Sequence, residues 1–318
     1  MKKKIVSLVL AFMLCLSCVS ALAAEAWTVT CPWAPSGVAA MVNQKAASLS
    51  TTYSQDYVLV ANAEKGDTAT INSWLTKYTE ADPQMCFIGE GMFGITAILD
   101  PERMNFTYDD FEYVENLYSS IFVASARKEL GLTSIDALKA YLEDGNQIMV
   151  GTNGATGSEA FLAAALIGAM GYGDQFYLIP YESAAEAAQA VARGEVDIAV
   201  SHQSQILETW QQGGVDVFAA FDGEPIAQGP FKGVEGVGQY GYPYFRNRCF
   251  IFAKAGADEQ KIADLKALYA QILTDEEMVD WLNNTMLLEA DMMTEEEVIA
   301  HIDNVKNIVE EYYDLVAE

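Results

Sequence analysis

The chain has few groups that do chemistry at neutral pH. Of its 318 residues two are histidine, five are cysteine and 18 are lysine or arginine, against 45 aspartates and glutamates. It has no Gly-x-Ser-x-Gly elbow, no glycine loop of the phosphate-cradling kind and no clustered metal ligands, so nothing assembles nucleophile, base and oxyanion site. Glu90, in the glycine-rich turn expected at Gly89-Glu90-Gly91, is the one tempting acid. An enzyme is therefore not expected, and neither is a metal or other cofactor. The shortage of cations also excludes classes of partner: a formal charge of −27 does not hold nucleic acid or an anionic membrane non-specifically. Beyond residue 24 no apolar stretch is long enough to span a bilayer.

What is present at the start is an export signal. Lys2-Lys3-Lys4 is a charged n-region, Ile5 to Leu16 an apolar core, and Ala21-Leu22-Ala23 a small-x-small cleavage site. Residues 1–23 are read as a cleaved signal peptide, with Ala26 as a second cleavage position, and the mature chain is expected in the periplasm. Leu16-Ser17-Cys18 offers a lipoprotein reading. Against it stand Cys15, where a lipobox normally has Leu, and the short tether left before a first strand at Trp27. Loss of three lysines takes the charge to about −30. Cys31, Cys86 and Cys249 remain, enough for one disulfide at most, and burial as free thiols is the favoured reading.

The mature length suits two domains of ordinary size. Strand and helix patterns alternate almost throughout, which indicates an α/β fold with largely parallel sheets. Strands are expected at Trp27–Cys31, Tyr57–Val60, Met85–Ile88, Ile121–Ala124, Ile148–Gly151, Phe176–Ile179, Ile198–Ser201, Val215–Ala219 and Phe250–Ala253. Helices are expected near Val38–Ser50, Thr68–Lys77, Ser134–Glu143, Ser158–Met170, Ala184–Arg193, Gln203–Gln211, Glu259–Leu273, Asp275–Asn283 and Glu295–Val316. Gly229 to Pro243 reads as a long irregular surface connection, partly mobile. The last strand and helices lack strands enough to stand alone. The chain therefore divides into lobe I, residues 24–122 with 249–318, and lobe II, residues 123–248, with a ligand cleft between them.

Two segments could serve an anion there. Val150 to Ser158 is a strand running into a Gly/Ser/Thr loop at a helix start, and Ile179-Pro180-Tyr181-Glu182-Ser183-Ala184 repeats that arrangement. Backbone N–H groups at helix N-termini favour a carboxylate, and in open α/β sheets ligands sit at the carboxyl ends of strands. Ordinary helix capping reads the same residues equally well.

Taken together, Pro32-Trp33-Ala34-Pro35-Ser36-Gly37, Asn62-Ala63-Glu64-Lys65-Gly66, Gly151 to Ser158, Ile179-Pro180-Tyr181 and Gly194-Glu195-Val196-Asp197 resemble the extracytoplasmic solute receptors of tripartite tricarboxylate transporters, the Bug or TctC family. Phe106 to Phe111 resembles that family's Tyr-x-x-x-Phe segment. The resemblance runs in order over essentially the whole mature chain. It implies a two-lobed periplasmic-binding-protein fold, type II-like, closing on a small carboxylate, and a monomer that delivers its ligand to membrane permease subunits. A receptor that presents its ligand to a sensor kinase is the alternative role. Carried onto this chain, the first-lobe loop is Pro35, Ser36, Gly37, Val38 and Ala39, with Gly66, Asp67, Thr68, Gly89 and Glu90 beside it. The opposing loops are Thr152 to Ser158, which holds Asn153, Thr156 and Gly157, and Tyr181 to Ala184, which holds Ser183.

Two departures bear on the ligand. Ala40 stands where family members carry an Asp that contacts the ammonium of amino-acid ligands, which argues for a carboxylate without an α-amino group: a di- or tricarboxylate or an aromatic acid. Ala63-Glu64-Lys65-Gly66-Asp67 replaces the usual Arg-Pro-Gly-Ala-Gly-Gly. Glu90, Asp67 and Glu182 are the residues that could supply the missing negative charge. Single residues carry two readings each. Tyr181 holds ligand or water, or is half-buried packing. Asn153 touches ligand or holds a left-handed turn. Ser158 and Ser183 cap helices. His202, at a strand end, faces the cleft or pairs within a loop, and His301 is a surface residue of the terminal helix.

Overall fold

A computed structural model describes residues 24–155 and 157–316 of the chain; the signal peptide, and with it the export reading, lies outside the described residues. Two sheets organise the fold. The first contains β1 (Glu25–Cys31), β2 (Tyr57–Ala63), β3 (Gln84–Gly89), β4 (Phe111–Ser120), β10 (Asn247–Lys254) and β11 (Glu289–Ala290), in the order β11-β4-β10-β3-β1-β2. The second contains β5 (Phe122–Arg127), β6 (Ile148–Asn153), β7 (Phe176–Tyr181), β8 (Ile198–His202) and β9 (Val215–Ala220), in the order β7-β6-β8-β5-β9.

The helices are α1 (Val38–Tyr53), α2 (Thr68–Lys77), α3 (Ala97–Leu99), α4 (Ile135–Glu143), α5 (Ser158–Ala169), α6 (Ala184–Ala192), α7 (Gln203–Gln211), α8 (Glu259–Leu273), α9 (Glu276–Trp281), α10 (Glu295–Glu311) and α11 (Tyr313–Val316). The inner strands β3 and β10 of the first sheet are buried on both faces, so both are near-continuous apolar runs over Met85–Ile88 and Cys249–Ala253. Met85 and Phe87 of β3 face a core under α1 and α8, while Cys86 and Ile88 face an aromatic core of Phe93, Phe106, Phe111 and Phe252. In the second sheet Ala187, Ala188 and Val191 bring α6 close to the strands. A Cβ on Gly151 would stand 3.3 Å from that of Ala187.

The chain crosses between sheets twice. It leaves the first after Ser120 and enters the second at Phe122, then leaves after Ala220 and rejoins the first at Asn247. At each crossing the entering strand runs against its neighbours. β5 is antiparallel to β8 and β9, and β10 is antiparallel to β3 and β4, while β1–β2, β1–β3, β6–β7 and β6–β8 are parallel. The sheets are thus more mixed than strand–helix alternation predicts, because a crossing strand enters without a preceding crossover helix. Helix α10 reaches both cores: Val298 and Ile302 pack on the aromatic core of the first sheet, and Val305 and Val309 on the core of the second.

Three expectations need correction. The ten-residue strand β4 was not anticipated; Glu112, Glu115 and Asn116 interrupt its apolar run, and the fold satisfies the buried Glu115 with donors from the Tyr113 hydroxyl and the Asn116 and Met293 amides. Gly89-Glu90-Gly91 is not a turn but the end of β3 passing directly into a helical segment, π-helical over Met92–Thr96 and then α3. The connection Gly229 to Pro243 is pinned to the second core by the buried Phe231 and Val237, with Phe245 just beyond it. Phe231 thus anchors the segment, while Tyr240 stays exposed.

Candidate ligand site between the two sheets

The loops after β1, β2 and β3 face those after β6, β7 and β8 across a cavity of about 620 Å³. Each side is tied internally. Pro32 O accepts from the Gly66 and Asp67 amides (3.2 and 2.9 Å), joining the loops after β1 and β2, and Tyr181 O accepts from the Gly154 amide at 3.1 Å, joining those after β6 and β7. Asp67, which opens α2, has φ +49°, a backbone state that L residues adopt at a cost of about 1–3 kcal/mol.

Of the residues anticipated from sequence, Gly37, Val38, Ala39, Gly66, Gly89, Glu90, Asn153, Gly157, Ser158, Tyr181, Ser183 and His202 line this cavity. Pro35 and Ser36 are exposed and do not line it, and Thr68 is buried in the first turn of α2. Thr156 lies outside the described residues. Ser183 caps α6, accepting from the Glu186 amide at 3.2 Å. Ser158 does not cap α5, where Gly157 occupies the N-cap. Its hydroxyl instead donates 3.1 Å to Glu90 across the cleft. The left-handed turn belongs to Gly154 (φ +75°) rather than Asn153, whose side chain hydrogen-bonds to Glu159.

Several helix N-termini without a side-chain cap reach the cavity wall, α2 behind Asp67 and α7 behind His202 among them; two begin behind a glycine, α1 at Gly37 and α5 at Gly157. Their first amides have no intrahelical acceptor and carry the positive end of the macrodipole. Helix α1 has no acid in its first turn, whereas α5 has Glu159, 6% exposed.

The cavity wall is rich in carboxyl groups. Glu90 is fully buried and accepts from Ser158 Oγ, from Asn247 Nδ2 at 2.9 and 3.2 Å, and from the Arg248 amide at 2.9 Å. Burial raises its pKa and these donors oppose the rise. Glu159 is pushed up to about 7, first by burial and then by the neighbouring Glu90 charge, with Asn153 opposing. Asp67 is raised by burial against the opposing effects of Arg103 and Trp33; Arg103 Nη2 stands 3.2 Å from its carboxylate. Lys65 and Glu182 close one rim with an exposed ion pair of 2.8 Å, an interaction worth about 0–1 kcal/mol.

His202 is buried against Phe122, with ring centroids 4.6 Å apart, and its Nδ1 lies 2.8 Å from Ser120 Oγ. Burial lowers its pKa to about 3, so the ring is neutral. His301 is not a free surface residue: its Nδ1 accepts from Arg248 at 3.1 Å and its ring packs on Phe250. Cys31, Cys86 and Cys249 are buried free thiols. Trp33 lies against Gly89, where an added Cβ would meet the indole at 3.4 Å.

Sequence reasoning missed Glu159, Asn247, Arg103 and Cys249 in this wall. Glu159 left one trace, a lone acid opening an otherwise apolar helix, but a charge in a first turn is also the commonest solvated helix start. Asn247 and Cys249 arrive on β10 from more than 150 residues beyond Glu90, and spacing carries no trace of that. Among the described residues no cluster of three potential metal ligands occurs and no helix is long and apolar enough to cross a membrane.

Two sheets joined by two crossing strands, with the cavity between their loops, define a two-lobed solute-binding protein. The family model of the tripartite tricarboxylate transporter family receptor, TctC, matches residues 55–308, and the chain belongs to that family. Among curated proteins no significant match is found. Solved structures share the fold at low identity. The periplasmic binding protein BugD is 16% identical with a TM-score of 0.77, over 92% of this chain and 98% of its own. MatC from Rhodopseudomonas palustris, solved with bound malate, is 17% identical with a TM-score of 0.75 over the same shares. An R. palustris protein solved with adipate is 15% identical with a TM-score of 0.79, over 91% of this chain and 96% of its own.

Proposed function

We propose that this receptor, exported to the periplasm with residues 1–23 removed, captures a small carboxylate without an α-amino group between lobes 24–122 plus 249–318 and 123–248, and hands it as a monomer to the membrane permease of a tripartite tricarboxylate transporter. The observation that carries this reading is the pair of glycine-capped helix starts, α1 and α5, opening onto one cavity. Each offers amides that a carboxylate can pair with, at the positive end of its helix. Val38, Ala39, Gly157 and Ser158 contribute backbone, His202 and Tyr181 polar side-chain atoms, and Gly66, Gly89 and Ser183 shape the walls. Ala40, buried in α1, presents no charge to a ligand ammonium. Malate in MatC and adipate in the R. palustris protein are both non-amino dicarboxylates, which favours the same class here.

A receptor fits the cavity better than an enzyme does. Ser120 and His202 form the nearest approach to a nucleophile–base pair. Ser120 does not line the cavity, and an imidazole held near 3 is too weak a base to activate a hydroxyl at neutral pH. Calorimetry with matched pairs tests the ligand class: succinate against aspartate, and 2-oxoglutarate against glutamate. The non-amino acid is expected to bind tighter, and tighter binding of the amino acid in either pair overturns the assignment.

A further inference from the structure

An acid-lined cavity is an unusual place to put a carboxylate. Asp67 is engaged by Arg103 and Glu182 by Lys65, and Glu90 is occupied by donors from Ser158, Asn247 and Arg248. Glu159 is different. It sits in the first turn of α5 against the cavity, over nine-tenths buried, and forms no ion pair among the described residues. The groups that face it are the Asn153 amide, its own backbone N–H, Glu90 at the end of β3, Asp67 ahead of α2 and the Cys249 thiol on β10. None of these is a cation. Two further polar atoms on the cavity residues have no partner: Asn247 Oδ1, on a side chain 8% exposed whose Nδ2 is committed to Glu90, and Gln205 Oε1, in the first turn of α7. A buried acceptor such as Asn247 Oδ1 calls for a donor that the protein does not supply.

We infer that Glu159 is a ligand-contacting residue that holds a proton for the incoming carboxylate, so that the receptor takes up its ligand together with a proton. This rests on the carboxylate-receptor reading. If Glu159 were ionised, a second carboxylate beside it would face a like charge, while the cavity's cations Lys65 and Arg103 stand on Glu182 and Asp67; two carboxyls sharing one proton instead hydrogen-bond. The proton removes one negative charge from the complex and supplies a donor on the wall where acceptors predominate. Burial and the Glu90 charge already push the Glu159 carboxyl up to about 7 in the empty site, and an arriving anion raises it further. The linkage has a definite sign. Ligand is held with one more proton than the free site carries, so affinity falls as pH rises above about 7, by up to about tenfold per pH unit.

The test is calorimetry of the full mature protein with succinate, malate, adipate, 2-oxoglutarate, citrate and benzoate as probes, and aspartate and glutamate as amino arms, from pH 6 to 9. Repeating the pH 8 titrations in phosphate and Tris, whose ionisation heats differ, counts the protons taken up. The expected result is uptake of close to one proton by the wild type with whichever non-amino acid binds, an affinity that declines with pH, and neither effect in Glu159→Gln. Binding with no proton uptake in the wild type, or uptake that persists in Glu159→Gln, overturns the inference and leaves the carboxylate reading standing. Tighter binding of aspartate or glutamate, with affinity rising with pH, makes Glu159 an ionised counter-charge and overturns it too. Failure of every probe at every pH removes the carboxylate reading itself, and the inference with it.

Discussion

Helices α1 and α5 begin alike and end up in different electrostatic settings. Both start behind a glycine with no side-chain cap, both open onto the same cavity, and both bury their first residues. Helix α1 carries no acid in its first turn. Helix α5 carries Glu159, whose carboxyl accepts from its own backbone N–H and so takes up part of what that helix could offer a ligand. A helix N-terminus is therefore not by itself an anion site; the nearest side chain decides whether the anion comes from the ligand or from the protein. A second contrast lies within lobe contact. Glu90 and Glu159 are both buried acids, yet Glu90 has donors on every side while Glu159 has the Asn153 amide and acidic neighbours.

The largest expected effect removes the satisfied acid. Glu90→Ala strands the Ser158 hydroxyl, the Asn247 amide and the Arg248 N–H, and urea unfolding should show a loss of about 3–5 kcal/mol, since each buried donor left unsatisfied costs about 1–3 kcal/mol. A loss below about 1 kcal/mol would mean that Glu90 is no better placed than Glu159. Next comes Glu159→Gln in the ligand-free protein. A carboxyl whose folded pKa is raised from about 4.5 to about 7 contributes stability that is complete below the lower value and lost as pH rises through the upper. The variant should thus gain about 3 kcal/mol over wild type at pH 8.5 and almost nothing at pH 4.5. An equal gain at both pH values would remove the titration from the explanation.

Smaller effects separate the two helix starts. Gly37→Val and Gly157→Val place a branched side chain where backbone meets ligand, both at negative φ that valine tolerates. A Cβ at either would meet a carbonyl at 3.1 Å. Gly37→Val is expected to weaken ligand binding by at least about tenfold (about 1.4 kcal/mol) with circular dichroism unchanged. Gly157→Val should cost less, because Glu159 already claims part of that site. The reverse order would mean that α5 and not α1 is the principal anchor. Smallest is Ser183→Ala, which deletes the cap of α6 and should lower stability by about 1 kcal/mol in urea while leaving the α1–α5 pair untouched.

These contrasts mark where sequence was informative. Helices α2, α7 and α8 have the ends their residue spacing predicts, and Asp258 caps α8, because those signals are local. Strand β4 was not legible, since Glu112, Glu115 and Asn116 read as loop and only Met293, nearly 180 residues on, supplies the remaining donor to Glu115. The cavity shows the same division. Gly37, Gly157 and Ser183 sit in loops, and Tyr181 ends β7, where the strand–turn–helix order is visible in the chain. The Glu90 cluster is assembled from β3, α5 and β10, and a charge balance formed by tertiary contact leaves no periodicity to read. Burial inverted one histidine reading for the same reason: His301, expected on the surface, is packed on Phe250, whereas His202 both lines the cleft and pairs with Ser120.

The central claim is that the cavity between the two lobes takes a small carboxylate. A thermal-shift screen of mono-, di- and tricarboxylates, with aromatic acids included, tests it most directly. A ligand that binds only the folded protein stabilises it by about 2.7 kcal/mol at a hundredfold excess over Kd. The account predicts that one class of acids lacking an α-amino group raises Tm, and that the shift shrinks between pH 7 and pH 9. No shift from any acid in the screen would contradict it.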